Sequence, residues 1–86
     1  MSSAMKMASC QISFAPVGIT DYSEKIKQVL SIIESSGVEY DIGVMSTVIS
    51  GEKEMIFALI KELYDRMDET CGFIMDVKIS NVCGCD

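Results

Sequence analysis

Residues 7–14, "MASCQISF", alternate between two sides. Ala8, Cys10, Ile12 and Phe14 fall on one side, and Met7, Ser9, Gln11 and Ser13 on the other. A period of two is that of a half-buried β-strand, because successive side chains point to opposite faces. "APVGIT" then reads as a loop, with Pro16 and Gly18 as breakers. From Asp21 the period changes. Tyr22, Ile26, Val29, Leu30 and Ile33 recur at helical spacing, with Glu24, Lys25, Lys27 and Gln28 on the solvated side. "DYSE" puts an acid three residues before Glu24, a capping-box-like start. Gly37 suits the left-handed position that follows a helix. Residues 38–51 read as two strands with a tight turn near 43–46: Val38, Tyr40 and Ile42 alternate with Glu39 and Asp41, and "STVIS" is rich in β-branched residues. A second helix opens at Gly51 and Glu52, with Ile56, Leu59, Ile60, Leu63 and Met67 as its stripe and Glu62 spaced to pair with Arg66. In "GFIMDVKISNV", Phe73, Met75, Val77 and Ile79 alternate with Ile74, Asp76, Lys78 and Ser80, a last strand.

The order strand–helix–strand–strand–helix–strand predicts a ferredoxin-like βαββαβ fold of the α+β class: a four-stranded antiparallel sheet with two helices on one face. Right-handed crossovers put the first and third strands in the middle. The other sheet face is left open, with Ser9, Gln11, Ser13, Asp41, Asp76, Lys78 and Ser80 on it, and Ile74 and Met45 as apolar company. A chain of 86 residues is one domain with a modest core. We therefore expect residues 1–6 to form a flexible tail and 7–86 a single domain. The open face or a strand edge should be covered by another copy, giving a homodimer or a dimer of dimers.

Thirteen acidic residues against seven basic give a net charge of −6, and no basic cluster exists. Binding nucleic acid requires such a cluster to neutralise phosphates, so that partner is not expected. No apolar run approaches the roughly 18 residues of a membrane span, and the N-terminus has no apolar core of a secretion signal, so a cytoplasmic protein without a membrane partner is expected. Histidine is absent and Arg66 is the single arginine. The usual groups for acid–base work and for bidentate clamping of phosphate are thus missing, and no enzymatic activity is expected. An acylphosphatase-like site would need an arginine in the first loop, but Arg66 lies in the second helix. Four cysteines raise metal binding. Zinc sites usually use pairs of the form C-x₂₋₄-C; here Cys83 and Cys85 are one residue apart, and Cys10 and Cys71 stand alone. Copper carriers of this fold class hold a Cys-x-x-Cys after the first strand, where this chain has "APVGITD". No metal is expected. A Cys83–Cys85 disulfide would be strained, so both thiols should be free.

"MSTVISGE", residues 45–52, sets the hydroxyls of Ser46 and Thr47 at a hairpin corner. Turn chemistry and β-propensity alone account for it. Taken with "CQISFAPV" before it and "SNVCGCD" at the end, it resembles the YkoF-like family of thiamine/hydroxymethylpyrimidine-binding proteins and the related small single-domain thiamine-binding proteins. The likeness covers residues 8–86. It implies ferredoxin-like domains that pair, and non-enzymatic binding of thiamine or hydroxymethylpyrimidine as a ligand rather than a cofactor, in supply or uptake of the vitamin. Matched residue by residue, Ser46 and Thr47 stand for the family's hydroxyl pair, Phe14 for its strand aromatic and Ser13 for the small polar neighbour. Ser80, Cys83 and Asp86 match its terminal motif. Gly84 and Cys85 depart from it, where the family tends to have proline and glycine. The resemblance implies that Phe14 packs on the pyrimidine while the Ser13, Ser46 and Thr47 hydroxyls hydrogen-bond it. A carboxylate, Asp41 or Asp76, would face the thiazolium cation; Asp76 has the alternative of pairing with Lys78 or a partner subunit. The alternative function is an ACT-like regulatory or assembly module that senses another small metabolite.

Overall fold

The computed structural model describes residues 6–82. The expectations for the tail at 1–5 and for Cys83, Cys85 and Asp86 lie outside the described residues. The elements are β1 (Met7–Val17), α1 (Tyr22–Ser35), β2 (Glu39–Ile42), β3 (Thr47–Glu52), α2 (Lys53–Asp68) and β4 (Gly72–Ser80). The strands make one antiparallel sheet in the order β2-β3-β1-β4. This is the ferredoxin-like α+β arrangement, with β1 and β3 central. No helix among the described residues is long and apolar enough to cross a membrane.

Register decides which face each side chain takes. Cys10 stands opposite Ile49 on one side and Ile79 on the other; Ile12 stands opposite Thr47 and Val77. These positions face the helices. Ala8, Cys10, Ile12 and Ile49 from the sheet meet Val29, Ile32 and Ile33 of α1 and Ile56, Leu59, Leu63 and Met67 of α2 in a single core. The intervening positions share the opposite face, where no helix lies. There Gln11 stands between Val48 and Lys78, Ser13 opposite Asp76, and Asp41 opposite Val48.

Three local expectations change. β1 does not stop at Phe14 but runs through Pro16 to Val17. Pairing with β3 ends at Ile12, so beyond it β1 is hydrogen-bonded on one side only, and proline is tolerated on such an edge. The capping box is not formed: Asp21 precedes α1 without a side-chain hydrogen bond. Tyr22 is 54% exposed, and Ile32 takes the buried place expected for it. The other end of α1 matches expectation. Gly37 has φ 89°, where a side chain would be strained, and Ser36 closes the last turn by donating from its Oγ to the Ile33 carbonyl at 2.6 Å. On α2, the expected pair forms, with Arg66 donating to Glu62 at 3.0 Å.

Candidate functional site

At one end of the domain, α1 stands away from the β2–β3 hairpin. The gap is a cavity of about 120 Å³. Ile12 and Phe14 of β1 and Thr47 of β3 line its sheet side, Ile26 and Leu30 its helix side, and the turn at 43–46 its mouth. Aliphatic spacing along α1 accounts for Ile26 and Leu30: they lie four residues apart, on one helix face. They contribute walls that the sequence marked only as core.

The turn is held tightly. The Gly43 amide donates to the Ser46 carbonyl at 2.8 Å. A Cβ on Gly43 would come within 3.0 Å of that same oxygen, so glycine is what lets the chain close here. The turn leaves Val44 and Met45 in solvent, 103% and 87% exposed. Met45 belongs to this mouth rather than to the open sheet face. Its carbonyl accepts a hydrogen bond from the Ser13 Oγ at 3.3 Å.

The two hydroxyls of the "ST" pair part company. Ser46 accepts at its Oγ from Gln11 Nε2 at 3.0 Å, which ties it to the open face. Thr47, the next residue, points the other way, as alternation along a strand requires. It is 8% exposed and lines the cavity among apolar groups. Phe14 carries the aromatic wall. Its ring stacks on Phe73 at a centroid distance of 5.0 Å, and Tyr64 meets Phe73 edge-on at 5.3 Å. A row of three rings thus fixes Phe14 from behind.

Of the residues expected to bind a ligand, the fold brings Phe14, Ser46 and Thr47 to one cavity. Ser13 lies beside it, on the far side of β1, tied to the turn. Asp41 is exposed on the open face. Ser80 pairs with Ser9, four positions along β1 from Ser13, or about 13 Å at the usual strand rise. Cys83 lies outside the described residues. No three His, Cys, Asp or Glu side chains gather as metal ligands among the described residues. Cys10 is buried in the core, and burial pushes its thiol pKa up because the thiolate would lose its hydration. A cleft of about 400 Å³ between α1 and α2, beside Arg66, holds none of the expected residues.

The sequence profile described as "YKOF-related Family" matches residues 7–86. The chain belongs to the YkoF-related family. Solved structures agree with this family member in fold. A proposed thiamine biosynthesis/salvage protein from Thermotoga maritima is 26% identical, with a TM-score of 0.78 over 86% of this chain and 82% of its own. A hypothetical protein from Methanocaldococcus jannascii is 18% identical, with a TM-score of 0.83 over 95% and 87%. A domain of unknown function, DUF77, from Bacillus cereus is 19% identical, with a TM-score of 0.78 over 93% and 80%. The last two show the shared fold. No curated protein matches the chain.

Proposed function

We propose that this protein is a non-enzymatic binder of thiamine or its hydroxymethylpyrimidine precursor, acting in supply or uptake of the vitamin. The observation that carries the reading is the cavity at the β2–β3 hairpin: an aromatic wall at Phe14, aliphatic walls at Ile12, Ile26 and Leu30, and one inward hydroxyl at Thr47. Family membership and the thiamine assignment of the Thermotoga relative support it. At about 120 Å³ the cavity is smaller than the roughly 300–1,000 Å³ of sites that enclose a whole drug-sized ligand. It suits a single ring. The aminopyrimidine would sit on Phe14 with its polar edge toward the Thr47 hydroxyl. The thiazolium of thiamine would project past Val44 and Met45 into solvent or toward a second copy. In this reading Ser13 and Ser46 act by holding the turn, and Asp41 and Ser80 have no first-hand contact with the ring.

Isothermal titration with thiamine and with hydroxymethylpyrimidine tests the proposal. Both should bind, and the pyrimidine alone should retain most of the affinity. No heat and no thermal shift with either compound would sink it.

We also propose that the working unit is a homodimer built on the β4 side of the open face. β4 is an edge strand of nine residues, and Ile74 on it is 61% exposed. A long exposed edge of this kind is a template for pairing with another chain.

A further inference from the structure

We propose that the opposite end of the domain carries a second ligand site, for a small amphipathic anion: a carboxylate or phosphate joined to an apolar body. A cavity of about 630 Å³ opens where β1 begins, β4 ends and α2 starts. That volume falls in the usual range for small-molecule sites, roughly 300–1,000 Å³. It lies about 20 Å along β1 from Phe14, at the usual rise per residue, so it is independent of the hairpin cavity.

Its chemistry has two parts. Phe57 and Ile79 give an apolar floor on the helix side of the sheet, and Met7 stands at its edge on the open-face side; the three are exposed to solvent, at 51%, 40% and 52%. Lys6 and Lys53 stand on its rim. The Lys53 amide donates to the Lys6 carbonyl at 2.7 Å. This bond joins the start of β1 to the start of α2, so the two ammonium stems leave from neighbouring backbone. It also satisfies one of the free amides that begin a helix. The chain has seven basic residues and a net charge of −6; two of the seven meet at this cavity. At physiological salt, charges more than about 8 Å away are screened, so the nearby groups matter most; of the nearby acids, Glu52 stands opposite Met7 on β3, on the open-face side. Glu54 competes for Lys53 at 3.7 Å, but both side chains are largely solvated and such a pair is weak. Asn81 stands at the lip, while the Ser80 hydroxyl is taken up by the Val82 backbone. Two cations over an apolar floor match an anion with an apolar body better than a cation, a sugar or a bare inorganic ion.

Titrations of the ¹⁵N-labelled protein with phenyl phosphate, benzoate, inorganic phosphate and benzyl alcohol test this. We expect saturable shifts at the Met7, Ala8, Lys53 and Asn81 amides with phenyl phosphate, benzoate or both. The arm that binds tighter identifies the acidic group. Inorganic phosphate and benzyl alcohol should bind at least tenfold more weakly, and the K6M/K53M double variant should lose at least tenfold in affinity for the anion. The proposal is overturned by the absence of saturable shifts with both anions, or by shifts confined to Phe14 and Thr47. Equal binding of phosphate or benzyl alcohol alone, or an unchanged double variant, would overturn it too. Thiamine binding reads out at the Phe14 and Thr47 amides, so the fates of the two sites are separable.

Discussion

Thr47 is the buried polar side chain among twelve buried apolar ones in the described residues. A hydroxyl in such surroundings costs stability unless it is bonded. No buried side-chain oxygen among the described residues lacks a partner, so Thr47→Val, which keeps the shape, should leave the melting temperature nearly unchanged. The same change removes a hydrogen bond to a ligand, worth about 0.5–1.5 kcal/mol, or roughly two- to tenfold in affinity. Calorimetry and a thermal melt on one sample would check both; unchanged affinity would remove Thr47 from the site. Cys10 makes a different prediction. Its folded pKa is raised by burial. As pH climbs through the ordinary thiol range the unfolded chain loses this proton first, so its contribution, complete below that range, is lost above it. Urea midpoints at pH 7 and pH 9.5 should show a fall that is smaller in Cys10→Ala. An equal fall in the variant would assign the loss to other groups.

At the scale of elements, the hairpin and α2 answer to different forces. The hairpin depends on one close approach, between Gly43 and the Ser46 carbonyl. Gly43→Ala should displace the turn and weaken ligand binding several-fold, with little change in helix content by circular dichroism. α2 depends on its buried stripe. Leu63 is fully buried, and Leu63→Ala should cost about 2–5 kcal/mol, a large part of a small domain's stability. The surface pairs Lys61–Asp65 and Glu62–Arg66 are exposed. Arg66→Ala should cost about 0.5 kcal/mol or less in chemical denaturation, as i,i+4 pairs generally do. Spacing places an acid at Asp21 but cannot set the backbone angles that aim its side chain, and those follow from how β1 hands the chain over to α1.

For the whole molecule, the sheet separates two environments. Its covered face holds the core and the hairpin cavity; its open face presents Ser9, Gln11, Ser13 and Lys78 beside exposed Val48 and Ile74. Sedimentation velocity should give a dimer, and Ile74→Arg should shift it to monomer while leaving the fold intact. A monomeric wild-type protein at concentrations near 100 μM would refute the assembly. The molecule also has two chemically distinct ends, an apolar slot with one hydroxyl at the hairpin and a lysine-rimmed cavity where the sheet begins.

Element order, fold class, the α2 stripe and the face of most strand residues can be read from the chain alone. Those follow from local periodicity, and a period of two or of 3.6 needs no knowledge of distant residues. The sequence also marked Phe14, Ser46 and Thr47, through a motif whose spacing follows the strands. How these residues act depends on their tertiary surroundings. Register turned Ser46 toward Gln11 and Thr47 into the cavity; the stand-off of α1 from the hairpin made the cavity at all. Strand pairing set Ser80 at the far end of β1 from the cavity. The end of the β1–β3 pairing carried β1 past Pro16. Each of these depends on what lies across a strand or beneath a helix, and linear spacing along the chain does not contain it.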